Sequence, residues 1–222
     1  MTAAELVGSG RTADVYALDG GRVRRRYRDG RDVSVEAAMM AYVHGLGFPA
    51  PRVYEASGRD LVMERVDGPT LLQALAGGDV PPARAGAVLA GLHTALHALP
   101  ARLSPDPAVR LLHLDLHPDN IILGALGPVL IDWSNATEGP PDLDLALTAL
   151  IMAEAATGSY VLPELTVPAG RALRAFLDHA GGDPVSQLGP AVARRSADPN
   201  LSAEEKARLE AAAALVRTAA AG

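Results

Sequence analysis

The apolar positions of this chain change their spacing near residue 70. Before it they fall in short alternating runs, and after it they recur at helical intervals. Leu6 and Val7 precede the turn Gly8-Ser9-Gly10-Arg11-Thr12-Ala13-Asp14-Val15, and Val15, Tyr16 and Leu18 continue past it, so residues 5–18 predict a strand, a glycine turn and a second strand. Asp19-Gly20-Gly21 then turns the chain into a third strand, Arg22 to Tyr27. Its alternation sets Val23, Arg25 and Tyr27 on one face and Arg24 and Arg26 on the other. From Val33 to Leu46 the period is helical, with Val35, Ala38, Met39, Tyr42, Val43 and Leu46 as the expected apolar stripe. Pro49 and Pro51 lead into a strand pair, Val53 to Ala56 and Leu61 to Glu64. Arg65-Val66-Asp67-Gly68-Pro69 carries turn chemistry and marks a boundary.

Beyond the boundary the pattern predicts a short helix over Thr70 to Ala76 and a longer one over Pro81 to Leu99, with Val88, Leu89, Leu92, Leu96 and Leu99 as its core stripe. A proline-rich loop, Pro100 to Pro107, follows. Two short apolar runs, Ile121-Ile122-Leu123 and Val129-Leu130-Ile131, predict buried strands, and Leu143 to Thr157 a helix. Three more helical stretches lie near 168–180, 184–196 and 202–220, the last opened by a capping box, Ser202 with Glu205. The expected class is α+β in two lobes: a small N-terminal antiparallel sheet with one helix (1–63), a hinge (64–69) and a larger, mainly helical C-terminal lobe (70–222).

Composition narrows the function without naming it. Hydrophobic residues make up 49% and charged residues 21%, which fits a globular chain. A net charge of −6 argues against a nucleic-acid binder. Residues 1–5 lack the basic start and apolar stretch of a signal peptide, and Asp144 and Glu154 interrupt the most apolar segment, Leu143 to Ala156, which is too short to span a bilayer. A cytoplasmic protein with no membrane partner is therefore expected. The absence of cysteine excludes disulfides. Lysine occurs once, as Lys206, so any cation elsewhere that must bind an anion is an arginine or a histidine.

The candidate chemistry lies in His113-Leu114-Asp115-Leu116-His117-Pro118-Asp119-Asn120 and at Asp132, where the second apolar run ends. Phosphoryl transfer from a nucleotide needs oxygen ligands for a divalent metal, a carboxylate for the attacking hydroxyl, and positive charge or backbone N–H for the phosphates. Asp115 suits the base, Asn120 and Asp132 suit magnesium, and the glycine turn with Arg25 suits the phosphates. Glu36, in the first turn of the N-terminal helix, either serves the helix dipole or faces Arg25. Other readings stay open. His113, Asp115 and His117 alternate as the ligands of a hydrolytic metal site would, and Asp119, Asn120 and Asp132 each also fit ordinary turn roles. His93 and His97 stand four apart on a helix, a metal-ligand spacing, but without an evident third ligand they read as surface or packing residues.

The order glycine turn, inner-face basic residue, helix glutamate, H-x-D-x-x-x-x-N and strand-end aspartate resembles the protein-kinase signature set. His113 to Asn120 with Ile131-Asp132-Trp133 is more specifically similar to the aminoglycoside phosphotransferase and choline kinase family, and Met63-Glu64-Arg65 with Gly68-Pro69-Thr70-Leu71 matches its hinge; the resemblance covers about residues 5–150. It implies a kinase-like fold and transfer of the γ-phosphoryl group of ATP, with Mg2+, to a hydroxyl of a small molecule. Asp115 would be the base, and Asn120 and Asp132 the metal ligands. Gly8, Ser9, Gly10 and Val15 would cover the nucleotide. Arg25 would pair with Glu36, and Met63, Glu64 and Val66 would hold the adenine. His113, His117 and Asp119 would support the loop, and Asp144, more than Asp142, would brace it. Two departures stand out. The third strand has arginine in place of the family's lysine, a non-conservative exchange. That raises the alternative of a nucleotide-binding pseudokinase with little transfer. Only about ten residues separate Asp132 from Asp144, too few for a peptide-gripping segment, which favours a small acceptor. The acidic surplus after Asp132 suits an aminoglycoside-like or amino-alcohol-like one, or merely a solvated surface.

Overall fold

A computed structural model describes residues 5–158 and 163–221; residues 1–4, read above for a leader, lie outside them. The chain opens with β1 (Leu6–Ser9), β2 (Ala13–Leu18), β3 (Arg22–Tyr27), α1 (Ser34–Gly45), β4 (Val53–Ser57) and β5 (Asp60–Glu64). The five strands form one antiparallel sheet in the order β1-β2-β3-β5-β4, so β3 lies at its centre. Its alternation is as expected: Val23, Arg25 and Tyr27 are buried, and Arg24 and Arg26 are half-exposed. A central strand pairs on both edges, which fixes its register and hence the face that Arg25 takes.

The face of α1 differs from the expected stripe. Glu36, Ala37, Met39, Met40 and Val43 are buried, whereas Val35 and Leu46 are exposed. The helix is rotated because Glu36 has partners inside: Tyr27 Oη donates to it at 2.7 Å and Arg25 Nη1 at 3.1 Å. Two hydrogen bonds to a buried carboxylate outweigh the burial of one valine.

The remainder comprises α2 (Leu71–Gly77), α3 (Pro82–His97), β6 (Arg110–Leu112), β7 (Ile121–Gly124), β8 (Gly127–Leu130), β9 (Thr137–Gly139), α4 (Pro141–Ala156), α5 (Thr166–His179), α6 (Leu188–Ser196) and α7 (Ala203–Ala220). Thr70 and Gln73 form a capping box on α2, and Ser202 and Glu205 form the expected one on α7. β7 pairs with β8 and β6 with β9. In the β7–β8 hairpin Ile121 and Leu130 are fully buried and the other strand positions are half-exposed, so these are not the buried strands expected. A hairpin of four residues a side has one face against the core and cannot hide both. β9, three residues of sequence Thr-Glu-Gly, has no apolar alternation to announce it.

α4 is buried without a break from Asp144 to Glu154, because α5, α6 and α7 pack around it. A helix apolar on all sides belongs at the centre of its layer. The link from β5 to α2 lies close against the hairpin: Leu123 N–H donates to Pro69 O at 2.9 Å, and a Cβ on Gly68 would fall 2.3 Å from Leu123 O. The sheet, the link and the hairpin thus meet along one edge. No helix among the described residues is long and apolar enough to cross a membrane.

Candidate active site

The loop between β6 and β7 starts from a buried anchor, Leu111 and Leu112, and is fixed from below by α4. Asp144, wholly buried, accepts the backbone N–H of His113 at 3.0 Å on Oδ2 and of Leu114 at 2.6 Å on Oδ1. One turn along α4, Thr148 Oγ1 donates to Leu116 O at 2.7 Å. Between these ties Leu114 takes φ 62°, and Asp132, after β8, takes φ 60°. They are the two non-glycine residues with positive φ among those described, and strain of this kind persists only where the surroundings impose it.

His113 is buried with its edge on Trp133, ring centroids 5.0 Å apart, and its Nε2 lies 3.1 Å from Ile131 O. Burial lowers its pKa despite the nearby carboxylates, so the neutral ring donates from Nε2. That donor joins the loop to the residue before Asp132. It also weakens the hydrolytic reading, which needs His113 as a ligand: the ring does not reach the cleft that Asp115 and His117 line.

This cleft, about 1530 Å3, collects Asp115, His117, Asp119, Asn120 and Asp132 along one wall. Asn120 Nδ2 donates to Asp115 O at 2.9 Å and stands 3.2 Å from His117 Nε2, which leaves its amide oxygen available. Asp119 accepts from Thr70 Oγ1 at 3.1 Å and so ties the loop to the cap of α2. Arg25 crosses from the sheet: Nη1 reaches Glu36 Oε1 at 3.1 Å and Nη2 reaches Asp132 Oδ1 at 2.8 Å. Ser134 Oγ donates to the same oxygen at 2.9 Å, so both neighbours hold one side of the carboxylate and leave Oδ2 uncommitted.

The charges respond accordingly. Burial works against the Arg25 cation, but Asp132 and Glu36 outweigh it and raise its pKa. Burial would also raise Asp132, yet Arg25 and the Ser134 hydroxyl pull it below the ordinary carboxylate value. Glu36 is deeper, and burial lifts it in spite of Arg25 and Tyr27. Asp132 is thus held ionised, as an oxygen ligand for a hard cation must be. An uncommitted carboxylate oxygen and an uncommitted amide oxygen form the donor set magnesium prefers, so the residues fit that ion.

Of the residues expected on the nucleotide side, Gly8, Gly10, Val15, Arg25, Met63, Glu64 and Val66 line the cleft. Ser9 and Glu36 do not: Ser9 Oγ donates to Asp14 at 2.8 Å, and Glu36 lies beneath Arg25. Neither Gly8 nor Gly10 has positive φ, and a Cβ on either would meet nothing nearer than 3.7 Å. The turn itself therefore does not demand glycine at these positions. Arg28, which no sequence pattern singles out, donates from Nη2 to the carbonyls of Gly10 and Arg11 and so ties them back.

His93 and His97 prove to have a third partner. Their rings and Asp144 bring ligand atoms within 4.8 Å of one another. The carboxylate is already spent, because both its oxygens hold the loop and His97 Nε2 donates to Oδ2 at 3.1 Å. His93 Nε2 lies 2.9 Å from Thr148 Oγ1. Burial would raise Asp144, but the two histidines drive it well below the usual carboxylate range. The cluster braces the loop, with Asp144 rather than Asp142 at its centre; Asp142 accepts the Asp183 N–H at 3.0 Å.

In sequence, the phosphotransferase enzyme family model matches this chain over residues 3–110 and 94–177. The chain belongs to this family. No curated protein matches the chain in sequence. Among solved structures, the gentamicin complex of the phosphotransferase APH(2")-IIa superposes with a TM-score of 0.61 at 15% identity, covering 99% of this chain and 93% of the other. A choline/ethanolamine kinase family protein from Mesorhizobium loti gives 0.60 at 15% identity with the same coverage. An ethanolamine kinase from Plasmodium vivax gives 0.58 at 12% identity, covering 99% and 82%. These likenesses establish the kinase-like fold of this phosphotransferase family member: an N-terminal antiparallel sheet with one helix, followed by a mostly helical remainder.

Proposed function

We propose that the protein is an ATP- and Mg2+-dependent phosphotransferase acting on a hydroxyl of a small molecule. The observation that carries this reading is the set on one cleft wall: Asp115 on a braced loop, with Asn120 and Asp132 each keeping one oxygen uncommitted. Magnesium held by Asn120 and Asp132 would neutralise phosphate charge. Val15 and Val23 of the sheet, with Met63 and Ile131, offer apolar surface for a base, and the backbone of Glu64 to Val66 its polar edge. Residues 64–69 would serve as the hinge between a nucleotide lobe, 1–63, and the helical lobe. Structures of related fold bound to AMP-PNP with Ca2+, and to ADP, support the choice of nucleotide.

In the transfer the acceptor oxygen forms a bond to the γ-phosphorus as the bond to the β–γ bridging oxygen breaks. The hydroxyl proton goes to Asp115, and ADP leaves. Asp115 orients the hydroxyl, Asn120 keeps the Asp115 backbone in place, and Arg25 keeps Asp132 turned toward the cleft.

The test is ATP consumption and product formation with hydroxylated acceptors. Asp115→Asn should lose activity by a factor on the order of a hundred or more; undiminished turnover would overturn the assignment. One observation favours a second reading. Arg25 already holds an oxygen of Asp132 at 2.8 Å, and a guanidinium that neutralises this carboxylate competes with a metal. A pseudokinase would bind ATP by calorimetry yet yield no phosphorylated product from any acceptor.

A further inference from the structure

The loop that carries Asp115 is held at three backbone atoms. Asp144 takes the N–H groups of His113 and Leu114, and Thr148 takes the Leu116 carbonyl. These two holders stand four residues apart on one face of α4. α3 answers with two residues at the same spacing: His97 donates to Asp144, and His93 Nε2 lies 2.9 Å from Thr148 Oγ1. Two rungs thus join α3 to α4 behind the loop. The first is the brace centred on Asp144. The second has a direction that its hydrogen bonds fix.

A hydroxyl has one proton to give. Thr148 Oγ1 gives it to Leu116 O at 2.7 Å, so toward His93 it can only accept, and His93 Nε2 bears a hydrogen in either charge state of the ring. The rung is a directed chain, from His93 Nε2–H to the Thr148 hydroxyl to Leu116 O, and each donation strengthens the next. It also selects a rotamer. A threonine in a helix divides between two rotamers, because its hydroxyl can donate to a carbonyl one turn back in its own helix. A donor arriving from α3 favours the one in which the hydroxyl meets the loop.

Packing alone does not account for a histidine here. His93 is fully buried beside Phe176, ring centroids 5.6 Å apart, and its Nδ1 lies 3.5 Å from Asp144 Oδ2 without a hydrogen bond. A buried polar atom left unpaired costs stability, and a leucine would fill the place without that cost. What the histidine supplies is the Nε2 bond. The loop needs it, because Leu114, one residue before Asp115, sits at φ 62°, a strain that persists only while its surroundings hold it. A misplacement of about 1 Å at a reacting group costs up to a hundredfold in rate.

We propose that His93 is a positioning residue for the transfer, an inference that rests on the phosphotransferase reading: its Nε2–H holds the Thr148 hydroxyl on Leu116 O and so fixes Asp115 against the acceptor hydroxyl. Mg2+-dependent ATP hydrolysis, with water as the acceptor, supplies kcat and KM without requiring a particular alcohol. His93→Leu and Thr148→Val should each lower kcat about tenfold and leave KM for ATP within about twofold, since neither residue lines the cleft. The double variant should fall no more than about twofold below either single one, because both break the same chain. His93→Gln, whose amide N–H reaches the place of Nε2–H, should restore kcat to within about threefold of wild type. Thermal unfolding separates positioning from packing: His93→Leu removes an unpaired buried nitrogen and should shift Tm by less than about 4 °C. Nuclear magnetic resonance reads the loop directly. The amide lines of Leu114 to Leu116, single in the wild type, should split or broaden in His93→Leu and return in His93→Gln. Wild-type kcat in His93→Leu, losses that multiply in the double variant, or amide lines unmoved by removal of the ring would overturn the inference and leave the phosphotransferase reading standing. ATP turnover that is absent, or equal in wild type and Asp115→Asn, would overturn that reading and this inference with it.

Discussion

At the scale of single residues, Arg25 is the point where the chain departs from its family's pattern, and its geometry explains how the departure is accommodated. Its two terminal nitrogens reach different carboxylates, Glu36 at 3.1 Å and Asp132 at 2.8 Å. A lysine ammonium is a compact point charge and would sit on one of them or between both at longer range. Arg25→Lys is therefore expected to lower kcat/KM by about tenfold and stability by about 1–2 kcal/mol. A rise in rate would show that arginine handicaps the site. The role of Asp144 is tested by its titration. Its pKa lies below that of an unfolded aspartate, about 3.9, so its stabilisation is fully present above about pH 4 and fades as pH falls through the folded value. Asp144→Asn should cost about 3 kcal/mol near neutral pH, since it leaves the histidines and loop N–H groups short of their charged partner. Denaturant unfolding below about pH 4 should then show a shallower acid dependence in the variant than in the wild type. An equal acid slope in both would remove Asp144 from that role. These partnerships were only partly legible in the sequence. The motif spacing pointed to Asp115, Asn120 and Asp132, and the resemblance named Glu36 and Asp144. Ser134 and Arg28 act through contacts that no spacing announces, and the third partner of His93 and His97 lies 47 residues beyond His97, across the fold.

At the scale of elements, long periodic segments were legible and short or doubly constrained ones were not. The expected strand over Arg22 to Tyr27 coincides with β3, because alternation in a central strand is enforced on both edges. α1 lies within the expected limits but shows another face, because two partners for a buried glutamate overrode the apolar stripe. β9 was missed for want of any apolar residue. The packing of α3 on α5 could not be read either, since it depends on a glycine with no special backbone angle. A Cβ on Gly86 would meet Ala172 O at 2.4 Å and Phe176 N at 2.7 Å, both backbone atoms of α5. Ala is the better helix former by about 1 kcal/mol, so propensity alone would make Gly86→Ala stabilising. The close approach makes the opposite prediction: the helices must separate, and overpacking should cost about 2 kcal/mol net. Thermal unfolding decides between the two by the sign of the shift in Tm.

At the scale of the whole molecule, the two ends of the chain meet over the cleft. Arg11, in the turn between β1 and β2, donates from Nη1 to Asn200 O at 3.2 Å, and its Nη2 lies 3.7 Å from Glu205 Oε1 at the start of α7. The contact links residues 189 apart in sequence and fastens the proposed nucleotide turn to the segment that leads into α7. The arginine is exposed, so the link should contribute under about 1 kcal/mol to folding. Its leverage is on the position of the turn, because the same small energy acts on the balance between a closed and an open cleft. Arg11→Ala should accordingly leave unfolding by denaturant within about 0.5 kcal/mol and raise the KM for ATP about two- to fivefold, with kcat changed less. Screening offers an independent check. Raising ionic strength from about 0.05 to 0.5 M weakens an exposed pair, so KM should climb with salt in the wild type and climb less in Arg11→Ala. If the two proteins respond to salt alike, the charge of Arg11 does not hold the turn, and closure rests on the backbone ties of Arg28 instead.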